Sequence, residues 1–398
     1  MTNSRRTGIA CIALVCAFCF AASVSITDSV ADSTTAMIVN ARDSTSRLSA
    51  TDPPPAFSYR GLVQQSTATV LVDCSKGHSI NSALAQHPQA RELVVEISGM
   101  CVENVVVTRD RVTLRGTDPA NDGIEALLNA DIANVAVWVR EAQLVTIENL
   151  KLTGGFSGLL ATNVTLTNLR VINCLLNDNR AYGAQLQNAL IEAEDTTFSS
   201  NGNNNAGIFS GSRIQCTRCT FADPDGTGPL GNLRNNILAF TANRVLLFQS
   251  TLTNGGIVSD DSLILMTDST VAAFVPGGLS VNAFGSSAVS MTRVQVSGNM
   301  IFTQGANAQL LGVTQTSGLN SIDDSAFLRI GDASPATGGP PSIPSALRGF
   351  NLRNFAKATL LQTSMITGNL NCGQGADAFC TTPSNVSGVS NCSQCPNP

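Results

Sequence analysis

The sequence predicts an all-β chain wound as one single-stranded, right-handed parallel β-helix of about ten coils, with a short N-terminal capping helix and a Cys-rich C-terminal tail. Three observations predict it. Short β-branched runs end repeatedly in Gly or a polar turn, one template recurs in the same phase along the chain, and charged (13%) and aromatic (5%) residues are both scarce.

Residues 1–25 read as an export signal: Arg5 and Arg6 give a positive start, Ile9 to Phe20 an apolar run, and Ala21, Ala22 and Ser23 a small-residue cleavage site. An uncleaved anchor is the other reading, but the run fades quickly into Ser and Thr. No later stretch is apolar for long enough to cross a membrane, so no span is expected after cleavage. Residues 26–70 are rich in Ser, Thr, Ala and Asp and contain Pro53, Pro54 and Pro55, the composition of a flexible leader.

The β-helix is expected over residues 71–371. After Val70, Leu71 and Val72, a helix pattern from Ser79 to Gln86 puts Ile80, Ala83 and Leu84 on one face, suited to covering an open end. Short strands follow at Val94 to Ile97, Val105 to Val107, and Val112 to Leu114. The template then reads VTIENLKLTGG from Val145, VTLTNLRVINC from Val164, IEAEDTTFSSN from Ile191, IQCTRCTFADP from Ile214, VLLFQSTLTNG from Val245, ILMTDSTVAAF from Ile264 and VSMTRVQVSGN from Val289. A weaker copy starts at Leu311, and TLLQTSMITGN starts at Thr359.

Counting the first residue as 0, positions 0, +2, +5 and +7 are small or apolar, and Asn recurs at +10 as Asn201, Asn299 and Asn369. Alternation over two strands with one phase slip means that each coil bends while both strands keep one face inward. One inward column is expected to run through Ile147, Leu166, Ala193, Cys216, Leu247, Met266 and Met291. At about 4.8 Å per coil the stack would be on the order of 45 to 50 Å long.

Nine cysteines follow the signal, clustered toward the two ends, as staples in an oxidising compartment would be. Cys74, before the helix, and Cys101, after the first clear strand, are expected to bridge. In the tail, residues 372–398, Cys372, Cys380, Cys392 and Cys395 are expected to form two bridges, with three pairings open. The C-x-x-C pairs at Cys216/Cys219 and Cys392/Cys395 also have zinc-ligand spacing. Cys216 and Cys219 fall on inward positions, however, where they act as small hydrophobes, and no metal is expected.

From about Arg91 to Asn371 the chain resembles the pectate-lyase-like β-helix superfamily, with ISGMCVENVVVTRDRVTLRG from Ile97 similar to its opening coils. The tail LNCGQGADAFCTTPSNVSGVSNCSQC resembles the ends of secreted bacterial β-helix proteins without established function. The resemblance implies the fold and leaves the activity open among lyases, hydrolases, epimerases, adhesins and tailspikes.

A lyase of this kind needs acids to hold calcium on a uronate and an Arg or Lys as base. The matching outward cluster is Lys151, Arg170, Glu192, Glu194, Asp195 and Arg218, with Lys151 and Arg170 sharing position +6 and Asp195 and Arg218 sharing +4. The other reading is a ladder of ordinary cross-strand charge pairs, which the alternating signs favour. Asp260 and Asp261 resemble the paired acids of polygalacturonases, but the accompanying Gly-His-Gly and Arg-x-Lys segments are absent and a turn is the better reading. Asp223, Pro224, Asp225 and Gly226 have the spacing of a calcium turn without its later ligands. His78 and His87, the only histidines, fall near the cap, away from any nucleophile.

A net charge of −5 offers no basic face for nucleic acid. No cofactor motif is present and none is expected. The outward face is rich in Thr: Thr146, Thr165, Thr167, Thr197, Thr217, Thr220, Thr251, Thr267, Thr270 and Thr292. These are good strand residues and also a hydroxyl platform for a polysaccharide. Three functions follow: a secreted, periplasmic or cell-surface protein that binds polysaccharide or adheres without catalysis, a divergent polysaccharide lyase or glycoside hydrolase, or a structural envelope protein. The first needs no carboxylate cluster and fits best.

Overall fold

In seven successive coils the residue at +4 is left-handed: Asn149, Asn173, Asp195, Arg218, Gln249, Asp268 and Arg293 all have φ between 48° and 55°. This is the physical form of the phase slip. Strict alternation would send +4 inward; one residue in the αL region turns it out and lets +5 point in again. Asn and Asp tolerate this region best among residues with a Cβ, and they hold four of the seven positions.

The computed structural model describes residues 67–127, 134–222, 235–273, 275, 278–331, 344–361, 364–381 and 385–395, without the side chains of 165–168 and 385. The expected export signal, nearly all of the expected leader, the segment Asp223, Pro224, Asp225 and Gly226, and the side chains of Thr165, Leu166 and Thr167 therefore lie outside the described residues.

The strands stack into three parallel sheets. The first opens with Thr67–Asp73 beside Glu92–Ser98 and closes with Lys357–Leu360 beside Asp377–Cys380. The second runs from Met100–Val102 to Asn385–Val386. The third runs from Val105–Val107 to residues 370–372, where eleven successive pairings join 11 + 1 = 12 rungs. The described residues thus make about twelve coils where about ten were expected. The difference comes from the ends and from the interior rung Phe327–Ile330, which no template copy covered. The first strand starts at Thr67, four residues before the expected boundary, and the Cys-rich segment continues the ladders through Asp377–Cys380 and Asn385–Val386.

Three template copies were out of frame. Leu169, not Val164, pairs with Ile191, so the coil reads LRVINCLLNDN from Leu169, and Val171 rather than Leu166 stands between Ile147 and Ala193. VTLTN and LRVIN alternate equally well, and the strand Ser157–Ile172 runs unbroken from the third sheet into the first, which hides the boundary. Likewise Ala308 aligns with Val289 in place of Leu311, and Ala358 aligns with Leu328 in place of Thr359. In the corrected frames the inward positions Leu169, Val171, Cys174, Leu176, Ala308, Leu310, Ala358 and Leu360 are all buried. At +7, Phe198 and Phe221 stack face to face at 4.7 Å.

Reframing places Asn179 at +10 beside Asn201, and a chain of buried amides follows. Asn179 Nδ2 donates to Asn201 Oδ1 (3.0 Å), Asn201 Nδ2 to Asn205 Oδ1 (2.8 Å) and Asn205 Nδ2 to Asn236 Oδ1 (2.8 Å), while Asn236 Nδ2 donates to the Thr253 and Gly255 carbonyls. Asn299 and Asn369 stand apart from this chain: each accepts from the next coil's backbone, at Leu319 and Val389. A second line of side chains serves the corner before the first sheet. Ala189 N donates to Ser212 Oγ, Ser212 N to Asn243 Oδ1, Asn243 N to Ser262 Oγ and Ser262 N to Ser287 Oγ.

The expected helix is α1 (Ile80–Gln86), capped by Ser79 and held by Glu103, whose carboxylate accepts from the backbone of Ile80 and Asn81. Ile80 and Ala83 are buried against the first coil. Cys74 bridges Cys101 there, and the tail selects Cys372–Cys392 and Cys380–Cys395 from the three possible pairings. Cys174, Cys216 and Cys219 are buried free thiols. Among the described residues no helix is long and apolar enough to cross a membrane.

Asn201→Ala removes two acceptor contacts and two donor bonds from a buried chain in which each neighbour needs them. The expected cost is about 2–4 kcal/mol in urea unfolding, because partner groups are left buried and unpaired. A loss below about 0.5 kcal/mol would show that the amide chain does not hold the corner.

Candidate functional site

The corrected frame divides the charged cluster. Lys151 lies in the second sheet, in register with Gly123 and Leu175. Arg170 lies in the first sheet between Thr146 and Glu192, at +1 of its coil. The two do not share position +6 as expected, so no cationic pair is stacked there. Glu192 is followed on the next rung by Gln215, and Glu194 by Thr217, so the acids do not line up along the stack.

Asp195 and Arg218 do share +4. Arg218 donates from Nε to Asp195 Oδ1 (2.7 Å) and from Nη2 to Asp195 Oδ2 (2.8 Å), and Nη2 also reaches Glu194 Oε1 at 2.5 Å. The two-pronged bond to Arg218 holds the Asp195 carboxyl below its ordinary range, and the same bond raises the guanidinium. A carboxylate so neutralised is a poor base and a poor calcium ligand.

The same device occurs three coils further on. Arg293 donates from Nε to Asp268 Oδ1 (2.5 Å) and from Nη2 to Asp268 Oδ2 (2.7 Å), again at +4 on neighbouring coils. Sequence reasoning missed this pair, although Asp268 and Arg293 stand at +4 of ILMTDSTVAAF and VSMTRVQVSGN. Arg115 and Glu148 form a further ion pair between neighbouring rungs of the first sheet. One geometry used at separate heights of the stack belongs to the corner itself rather than to one reacting centre.

The remaining candidates resolve locally. Asp261 is left-handed and its Oδ1 accepts from Ser286 N at 2.7 Å, which fits a turn, while burial and the adjacent charge push the Asp260 carboxyl up. His78 Nδ1 accepts from Asp73 N. Cys216 and Cys219 point into the core, and burial pushes the Cys216 thiol up, so the thiolate that zinc requires is disfavoured there. No group of three or more His, Cys, Asp or Glu side chains that could hold a metal occurs among the described residues.

The threonines form an ordered array. In the second sheet Thr197, Thr220, Thr251 and Thr270 occupy one outward column in register, and Thr267 stacks on Thr292 in the first. All six are half-buried, so their hydroxyls recur at the coil spacing of about 4.8 Å along a flat surface.

Architecture and site together define a right-handed parallel β-helix with an outward face of Thr columns and paired charges. Residues 121–228 match the family model of the right-handed beta helix region. Two solved structures are similar. One is the Agl-KA catalytic domain, 10% identical, with 80% of this chain and 68% of that one covered and a TM-score of 0.36. The other is the Gp54 tailspike of Acinetobacter baumannii bacteriophage AP22 in complex with A. baumannii capsular saccharide, 8% identical, with 79% of each chain covered and a TM-score of 0.35. No curated protein matches the sequence.

The Asp195–Arg218 pair has a pH signature. A depressed carboxylate contributes stability that is present above its unfolded-state value and is lost as pH falls through its lowered folded value. Carboxyl-resolved NMR titration is expected to find Asp195 below the ordinary carboxylate range, moving up toward it in Arg218→Gln. An unchanged midpoint in the variant would contradict the pairing.

Proposed function

We propose that the protein is an exported, non-catalytic β-helix that binds polysaccharide at a cell surface or in the secretome. The observation that carries this reading is the in-register Thr column at Thr197, Thr220, Thr251 and Thr270. A row of hydroxyls at one spacing suits a polymer of hydroxyl-bearing units better than a single small molecule, because each coil repeats the same donors and acceptors. The paired state of Asp195 and Arg218 supports binding over elimination or hydrolysis, since both catalytic schemes require a carboxylate or base free to act. Three disulfides support an oxidising compartment.

The test is a screen of the purified protein on immobilised neutral and uronate-containing polysaccharides, following retention, unsaturated products and new reducing ends together. Retention without products is expected, and Arg170→Ala should leave retention unchanged. Turnover in the wild type that falls by about 100-fold in folded Arg170→Ala would replace this reading with a catalytic one. Neither retention nor turnover would leave the structural reading.

A further inference from the structure

The three sheets differ in what they turn outward. The first carries the paired charges and the second its Thr column, whereas the third turns out Trp138, Leu160, Leu238, Val258 and Ile301 along one register line, interrupted by Gln185, Gly207 and Asn282. Beside that line stand Tyr182, Phe209, Phe240 and Phe284. Tyr182 and Phe209 meet edge to face at 6.1 Å, and Phe209 lies in register with Phe240. A Cβ at Gly207 would strike both the Tyr182 and the Phe209 ring, so the one residue without a side chain is where the rings close over the sheet.

Among the described residues α1 sits at the end of the stack and no second layer covers this face. Parallel sheets are ordinarily covered on both faces, and a contiguous apolar patch of several hundred Å² left open marks an interaction site. From Trp138 to Ile301 along the stack and from Tyr182 to Gln187 along a strand, the face measures roughly 40 by 16 Å, on the order of 600 Å². A stable protein interface takes about 800 Å² from each partner, so this face with its rim is of the size a second protein surface needs.

The order of its residues says which surface. Arg140 and Asp260 are the only charges on this face among the described residues, and both stand on the line Arg140, Thr162, Gln187, Phe209, Phe240, Asp260. A two-fold axis lying along the strands between Gln185 and Gly207 sets Leu160 opposite Leu238 and Trp138 opposite Val258 of a second copy, apolar against apolar. The same axis sets Arg140 opposite the partner's Asp260, and each contact occurs twice. Both charges are available. Arg140 has only an exposed 3.4 Å contact to its neighbour Glu141, and the half-buried Asp260 side chain has no hydrogen-bond or ion-pair partner among the described residues.

We propose that the outer face of the third sheet is the interface of a homodimer whose two stacks run antiparallel, with Arg140 of each copy paired to the partner's Asp260. The Thr column lies on the second sheet and stays open, so the inference stands apart from the glycan-binding reading.

Sedimentation velocity over a dilution series, with circular dichroism as the check on folding, tests it on wild type, Leu238→Arg, Arg140→Asp, Asp260→Arg and the double exchange. Wild type is expected to be a dimer that dissociates on dilution, and emission of Trp138, the only tryptophan, should shift to the red as it does. Leu238→Arg and each single charge change should weaken association about tenfold or more, and Arg140→Asp with Asp260→Arg should recover most of that loss. A wild type that stays monomeric throughout would overturn the proposal. Blue-shifted Trp138 emission of that monomer on phosphatidylcholine vesicles would give the face to a lipid surface instead. A dimer untouched by folded Leu238→Arg would place the contact elsewhere, and a double exchange no tighter than the single ones would overturn the antiparallel register.

Discussion

A parallel β-helix must return its chain to the same place every coil without reversing which side chains face inward, and here left-handed corner residues meet that requirement, at +4 in seven successive coils and at further corners such as Asp178, Ser200 and Asn254 at +9. The left-handed position at +4, occupied from Asn149 to Arg293, turns the backbone by one side chain and keeps 0, +2, +5 and +7 inside. Each such non-Gly residue costs roughly 1–2 kcal/mol locally. The cost is offset because every rung that follows buries apolar side chains against the one before. The corner also sets the surface chemistry. A residue held in αL projects outward at fixed height, so Asn149 receives a bond from Asn173, Asp195 from Arg218 and Asp268 from Arg293 without further design.

Bends within the stack expose backbone groups that the three sheets cannot pair, and buried side chains take them up. Asn179, Asn201, Asn205 and Asn236 serve one corner, and Ser212, Asn243, Ser262 and Ser287 serve another, all within 4% of full burial. Such chains are stabilising only when every member is satisfied, which restricts where the amides can stand. The ends of the stack have no neighbouring rung, and different means are used there. α1 and Cys74–Cys101 close one end, and Cys372–Cys392 and Cys380–Cys395 tie down the other.

The fold was legible because burial on one face forces a repeat that any window can display: Ile191, Ile214, Val245, Ile264 and Val289 each open a coil as read. Frames were lost where the cue is ambiguous. VTLTN from Val164 and LRVIN from Leu169 alternate equally well, and only pairing with Ile191 shows that the coil starts at Leu169. That error carried into the site, since it placed Arg170 on the same column as Lys151 and hid Asn179 from the amide chain. The Asp195–Arg218 pair was legible because both residues lay in correctly framed coils.

The account makes the coil, rather than any single contact, the unit of structure, and removal of one coil tests that most directly. Leu263 stands in register with Ala288, so deleting residues 263–287, a length of 288 − 263 = 25 residues, sets Ala288 after Ser262 just as it now follows Ser287. Urea unfolding of this variant, followed by circular dichroism, is predicted to keep β-sheet structure and a cooperative transition. Deleting 264–287 instead leaves one extra residue, turns the following strand over and is predicted to abolish that transition. Equal behaviour of the two deletions, whether both fold or both fail, would contradict a frame set by the left-handed corner residues of each coil.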